Sequence, residues 1–287
     1  MSVRVARSLG GYLQLVAALR RKWKVPAEDE LWFRAEDQSH QTTRLQPGIY
    51  RPRDGTARKS IGKLLEIEKI LYDEFGRCAT QLSLSDVNSI DDDWDSYFLM
   101  QHHGAPTRLL DWSDGALIAL HFAVNKKSRR PKSGSIIYVL NPYWLIDLLD
   151  EHPDRKDAED RWNQYLEEKK PSEMDEDDWE RFYLPTDVYA KKSPYRMPEI
   201  PMLWDSPHVT RRFAAQRSRF MIFGTDPLWL VKEEKKRGSQ LVPITLPRSS
   251  INKIRQELKD AGITESVVYP DLDGLGRELK QEWLMRV

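Results

Sequence analysis

Apolar residues in this chain repeat with two different periods. Leu13, Leu15, Val16 and Leu19 recur near helical spacing within residues 8–24, and Arg and Lys fill the C-terminal end, which predicts an amphipathic helix. Leu64, Leu65, Ile67, Leu71 and Phe75 lie on one face of a second predicted helix over 60–76, with Gly76 as its stop. Trp94, Tyr97, Phe98 and Met100 predict a third over 93–103. Gly115–Asn125 is apolar nearly throughout and predicts a buried helix, with Ala116, Leu117, Leu120 and Ala123 facing the core and Ser113 or Asp114 as its N-cap. Helices are also predicted over Ser249–Ala261, ended by Gly262, and over Gly274–Trp283. Short apolar runs predict strands at Leu31–Arg34, Thr107–Trp112, Ser135–Leu140, Phe220–Phe223 and Leu241–Leu246, and the polar stretch Ala35–Gly55 predicts a loop. Strands interleaved with helices of this kind imply an α+β fold, a mixed or antiparallel sheet flanked by helices, in a single domain over 1–287.

Composition changes this picture little. With 287 residues, 40% of them hydrophobic, the chain can fill a core. The formal net charge is zero, so no global field draws it to nucleic acid or an anionic membrane. The single cysteine, Cys78, excludes an internal disulfide framework and fits a reducing compartment. The apolar run Leu15–Leu19 lacks a cleavage site, and no stretch is long enough to span a bilayer. The expectation is a cytoplasmic protein without membrane contact. Residues 147–180 are strongly acidic, and they predict a solvated helical excursion that contributes little to the core. The proline-rich run 194–207 then returns the chain to the body.

The candidate chemistry is concentrated in Gln101-His-His-Gly-Ala-Pro-Thr-Arg-Leu-Leu-Asp-Trp-Ser113. So many polar side chains beside an apolar helix need partners, because each left buried and unpaired costs about 1–3 kcal/mol. Arg34 follows Leu-Trp-Phe on a predicted strand and shares a face with Trp32. It either braces the sheet through an ion pair or turns its planar fork toward phosphate or carboxylate. Arg108 and Asp111 fit either a structural network or a site. Arg211, Arg212, Arg217 and Arg219 form a basic segment without an acid, either a solvated face or a contact for phosphates. His102 and His103 are adjacent and point apart, Cys78 lacks a cysteine partner, and no metal site is expected. Phosphate-binding glycine loops and a serine elbow are absent from the sequence.

These segments resemble the FRG domain, named for a Phe-Arg-Gly motif that stands here as Phe33-Arg34-Ala35. The central block and the Ala-Leu-Ile-Ala-Leu-His-Phe-Ala helix after it carry most of the resemblance, with Glu66–Phe75, Arg212–Phe220 and Tyr269–Gly276 adding to it. Alanine at the third motif position raises the question whether the backbone there adopts a positive φ. A more distant resemblance is to ADP-ribosyltransferases of the Arg-Ser-Glu type, which implies a split sheet and NAD as substrate. Phe33-Arg34 looks like their first strand, and Thr107–Ser113 running into Ala119–Ala123 looks like their second element and helix. The resemblance implies Arg34 on the NAD phosphates, Thr107–Ser113 around the nicotinamide ribose, Trp112 stacked on a ring, and His102, His103 or Asp111 in polar or proton-transfer contacts. The pattern's glutamate has no match, and Gln216 falls about where it would stand, suited to a ribose hydroxyl.

Four functions follow. The first is a transferase of ADP-ribose to nucleic acid or protein, of toxin or phage-defence type, with His102, Asp111 and Gln216 as catalytic residues and Arg34, His103, Thr107, Arg108, Trp112 and Ser113 binding NAD. The second is a nucleotide- or nucleic-acid-binding module without chemistry, using Arg34, Arg108 and the Arg211–Arg219 segment. The third is a hydrolase with Asp111 and a histidine as acid and base, and the fourth a protein-interaction domain. A cleft joining Arg34, His102, Asp111 and Gln216 favours the first or the third.

Overall fold

The computed structural model describes residues 4–38, 42–52, 59–82, 93–125, 133–169, 176–185, 197–204 and 211–284. The elements run β1 (Arg4–Val5), α1 (Leu9–Trp23), β2 (Trp32–Asp37), α2 (Ile61–Leu82), α3 (Asp93–His102), β3 (Leu109–Ser113), α4 (Ala116–Asn125), β4 (Ser135–Leu140), α5 (Pro142–Asp150), α6 (Pro153–Lys169), β5 (Met202–Trp204), α7 (Arg211–Gln216), β6 (Ser218–Ile222), α8 (Trp229–Glu234), β7 (Leu241–Leu246), α9 (Ile251–Asp260), α10 (Glu265–Val268) and α11 (Leu272–Leu284). The fold is α+β, as the periodicities predict. Among the described residues the strands form one seven-stranded sheet in the order β1-β7-β4-β2-β3-β6-β5. It is mixed, because β1 runs parallel to β7 while the other neighbours are antiparallel.

Strand alternation divides the core. Phe33, Ile137, Val139, Val242 and Ile244 point to one face and pack against Tyr12 and Leu19 of α1, Ala119 and Leu120 of α4, and Ile254 and Leu258 of α9. Trp32, Leu110, Trp112, Tyr138, Leu140 and Met221 point to the other, under Leu65 of α2, Leu145 of α5 and Leu230 of α8. A third cluster joins Leu109, Phe220 and Ile222 to Trp94, Tyr97 and Phe98 of α3 and to Trp162 of α6. Each such side chain contributes about 1.5–3 kcal/mol by leaving water.

The sheet is nearly divided at its centre. β2 pairs with β4 from Trp32 to Asp37 and β3 pairs with β6 from Leu109 to Ser113, yet β2 and β3 share only the pair Phe33–Ser113. Past that pair the two strands part.

Several sequence expectations need correction. α2 continues through Gly76 to Leu82. A glycine inside a helix costs only about 1 kcal/mol against alanine, and no proline follows to end the turn. β2 reaches Asp37 and a 3-10 turn covers Gly48–Tyr50, so the stretch from Ala35 to Gly55 is not all loop. Ala35 lies in ordinary strand pairing with Ile137, and its φ is not positive. The acidic segment does contribute to the core: Leu149, Ala158, Trp162 and Trp179 are buried, and Arg155 stands 5.0 Å over the Trp179 ring. Its charges occupy the outward positions of α6, so net charge concealed the apolar face. Residues 170–175 of that segment, and 194–196 and 205–207 of the proline-rich run, lie outside the described residues.

Candidate functional site

Where β2 and β3 part, a pocket of about 390 Å³ opens. Its sheet wall is Phe33, Arg34, Ala35, Asp111, Trp112 and Ser113. α3 supplies Gln101 and His102, α4 supplies His121, Phe122 and Asn125, and α7 supplies Arg212, Phe213 and Gln216. Glu265 of α10 and Tyr269 close it from the C-terminal side.

Local sequence explains these placements. Gly104 adopts a φ of 83°, which glycine tolerates, and its amide returns to the Gln101 carbonyl at 2.9 Å. This ends α3 and turns the chain into β3. Buried Thr107 donates to Gln101 Oε1 at 2.5 Å, which directs the Gln101 amide nitrogen at the Asp111 carboxylate, 3.2 and 3.3 Å from its two oxygens. At the other end of β3, Ser113 Oγ accepts from the Gly115 amide at 3.1 Å and donates to the Gln216 carbonyl at 2.7 Å. Ser113 therefore serves the entry to α4 and also ties α7 to the sheet. The Gln216 side chain donates to the Val268 carbonyl at 3.3 Å.

Arg34 lies at the floor of the gap. Alternation assigns its side chain to the face of Trp32 and Trp112, whereas Asp111 shares a face with Ser113. The two meet because the strands part: Arg34 Nη1 donates to the Asp111 carbonyl at 2.6 Å, and Nε to Glu36 Oε1 at 2.9 Å. Arg34 thus braces the sheet while it lines the pocket.

A second arginine of the pocket, Arg212, holds its guanidinium 4.9 Å over the Tyr269 ring, with Arg277 at 4.7 Å from the same ring. Burial, then Arg212, then His103 hold His102 below its ordinary 6.5, so its imidazole is neutral near pH 7. His121 is depressed as well, chiefly by burial. Its Nε2 is 3.5 Å from Glu265 Oε2, and Arg277 Nε donates to Glu265 Oε1 at 2.7 Å.

Of the residues expected at the site, the pocket brings together Arg34, His102, Asp111, Trp112, Ser113 and Gln216. Thr107 stands behind it and orients Gln101. His103 turns away and stacks on Phe75, its ring centroid 6.4 Å off. Arg108 requires correction: it is fully buried outside the pocket and pairs with Glu68 at 2.5 Å. Its guanidinium also donates to the carbonyls of Phe223 and Tyr183. These bonds are made in the core, where no ligand phosphate reaches. The basic segment separates too. Arg212 lines the pocket, Arg211 is exposed, and Arg217 and Arg219 both pair with Asp114. Gln101, His121, Asn125, Glu265 and Tyr269 were not anticipated as site residues. Gln101, His121 and Tyr269 lie inside the segments that carry the FRG resemblance, whereas Glu265 carries no sequence signal.

Residues 29–132 match the family model of the FRG domain. That match to the FRG domain spans about a third of the chain. No curated protein and no solved structure matches the chain significantly. The FRG segment contains β2, α2, α3, β3 and α4, and so supplies the sheet floor, Gln101, His102, Asp111 and His121. The remaining wall, from Arg212 to Tyr269, comes from the chain beyond the match. The pocket is therefore built between the FRG segment and the C-terminal part. Among the described residues no His, Cys, Asp and Glu cluster could hold a metal ion, and no helix is long and apolar enough to cross a membrane.

Proposed function

We propose that this pocket binds a nucleotide of the NAD class and that the protein transfers the ADP-ribose moiety. One observation carries the reading: a carboxylate, Asp111, held by the Gln101 amide, lines the same cavity as a cation stacked on an aromatic ring, Arg212 on Tyr269. Arg212 suits a phosphate, and Phe122 and Phe213 offer surfaces for a base or the nicotinamide. Breaking the nicotinamide C–N bond develops positive charge on the ribose. Asp111 is the exposed residue of β3, and its carboxylate, already fixed by Gln101, stabilises that charge without reorganising once the nucleotide itself shuts water out. Neutral His102 and the Gln216 amide offer hydrogen bonds to ribose hydroxyls. Nicotinamide leaves neutral and needs no acid.

A second reading, a nucleotide-binding module without chemistry, is favoured by the existing engagement of Asp111 with Gln101 and of Arg34 with Glu36. Calorimetric titration with NAD and an assay of nicotinamide release separate the two. The transferase reading expects binding and release, with Asp111→Asn lowering release about a hundredfold at nearly unchanged affinity. Binding without release selects the module, and failure to bind NAD overturns both readings.

A further inference from the structure

A second cavity of about 550 Å³ adjoins the pocket, and the two share His121, Asn125 and Glu265. Its other walls are α9, the 263–264 turn and α11. Its charged groups are engaged locally: Lys259 bonds Glu282 at 2.7 Å, and the Glu278 carboxylate accepts from the Ser266 amide at 2.7 Å. Such a wall has no large excess of either sign with which to hold an ion.

Arg255 decides what the wall offers. Its Nε donates to Asn125 Oδ1 and its Nη1 to Asn252 Oδ1, both at 2.9 Å, while Nη2 caps the Val124 carbonyl. A guanidinium only donates, so both carboxamides are fixed with oxygen toward Arg255 and –NH₂ turned from it. The cavity is thereby given two oriented amide donors. Three carboxylates line the wall, and of these Glu265 is the one shared with the first pocket, held by Arg277 on Oε1 and facing His121 Nε2 across 3.5 Å on Oε2. With Glu282 engaged by Lys259 and Glu278 by the Ser266 amide, two amide donors beside the Glu265 carboxylate match a molecule whose hydroxyl groups accept from the amides and donate to the carboxylate.

We infer that the second cavity is the acceptor subsite and takes a neutral, hydroxyl-bearing molecule of the sugar class. This rests on the nucleotide reading of the first pocket. The shared wall places the acceptor hydroxyl beside the donor sugar. The hydroxyl oxygen forms a bond to the anomeric carbon of the nicotinamide ribose, the C–N bond breaks with its electron pair passing to nicotinamide, and the hydroxyl proton passes to the Glu265 carboxylate. The cationic nicotinamide becomes neutral as the carboxylate becomes a neutral acid, so charge balances.

Two measurements on the full chain test this, with free ribose as the probe. In the first, ribose is titrated while side-chain amide signals are followed by NMR. The Asn125 and Asn252 signals should shift, and Asn252→Leu should weaken ribose binding about three- to tenfold, the loss of one neutral hydrogen bond. In the second, products of NAD cleavage are analysed with rising ribose. The ratio of ribose adduct to free ADP-ribose should fall in Asn252→Leu and in Glu265→Gln, while the NAD affinity of Asn252→Leu, which does not touch the first pocket, stays at the wild-type value. Absence of ribose-induced shifts overturns the inference whether or not NAD binds. An unchanged product ratio in both variants, with NAD still bound, overturns the acceptor role alone. Ribose binding in a protein that does not bind NAD overturns the nucleotide reading and the acceptor role, and supports the ligand site by itself.

Discussion

Arg34 Nη1 donates to the Asp111 carbonyl at 2.6 Å across the line where β2 and β3 cease to pair. The bond replaces a ladder contact that the diverging strands do not make. Arg34 also holds Glu36, which accepts from Arg51 and from the Leu45 amide. Arg34→Lys retains the charge and loses the fork, so one ammonium cannot reproduce both bonds in that geometry. The expected outcome is a loss of about 1.5–3 kcal/mol in a denaturant titration, together with weaker NAD binding. Unchanged stability with weaker NAD binding would show that the contact does not brace the sheet.

Arg108 and Glu68 form a fully buried pair. Glu68→Gln removes the charge that Arg108 needs, and it should cost about 3–5 kcal/mol. The double variant Arg108→Met with Glu68→Leu leaves no charge unpaired but strands the Tyr97 hydroxyl and the carbonyls of Phe223 and Tyr183, so it should recover only part of that loss. Chemical denaturation of the three proteins measures both effects.

Leu120 is completely buried between α4 and the sheet. Leu120→Ala should destabilise by about 2–5 kcal/mol. A loss below about 1 kcal/mol would place α4 at the periphery.

Trp162 of α6 is buried in the third cluster despite its acidic surroundings. Trp162→Ala should cost about 3–5 kcal/mol, and replacing 153–169 by a short linker should abolish the cooperative melt. A cooperative transition in the linker variant would restore the solvated-excursion reading.

His102 and His121 are both depressed from 6.5, mainly by burial. The unfolded chain therefore binds protons at a higher pH than the native one. Their contribution is fully present above the unfolded value and is lost as pH falls below it toward the folded values. Melting temperature should decline between about pH 7 and about pH 5, and the decline should be shallower in His102→Gln. An identical slope in that variant would show that His102 titrates as it does in the unfolded chain.

The sequence by itself determined the α+β class, most of the elements and much of the pocket's sheet wall. Those features are local: period-two and helical spacing reflect the side on which each side chain emerges, and alternation puts Asp111 and Ser113 on one face of β3. It also sufficed for the FRG resemblance, since the central block is contiguous. Tertiary structure decided the rest. Arg34 and Arg108 are both arginines beside apolar strand residues, and only the position of Glu68 sends one into the core while the β2–β3 divergence leaves the other at a pocket floor. Glu265 and Tyr269 join Asp111 across a long sequence separation, through the packing of α10 against α7, and no spacing rule encodes that contact. The acidic segment misled because net charge counts every residue of a helix, whereas burial depends on the one face that carries Ala158 and Trp162.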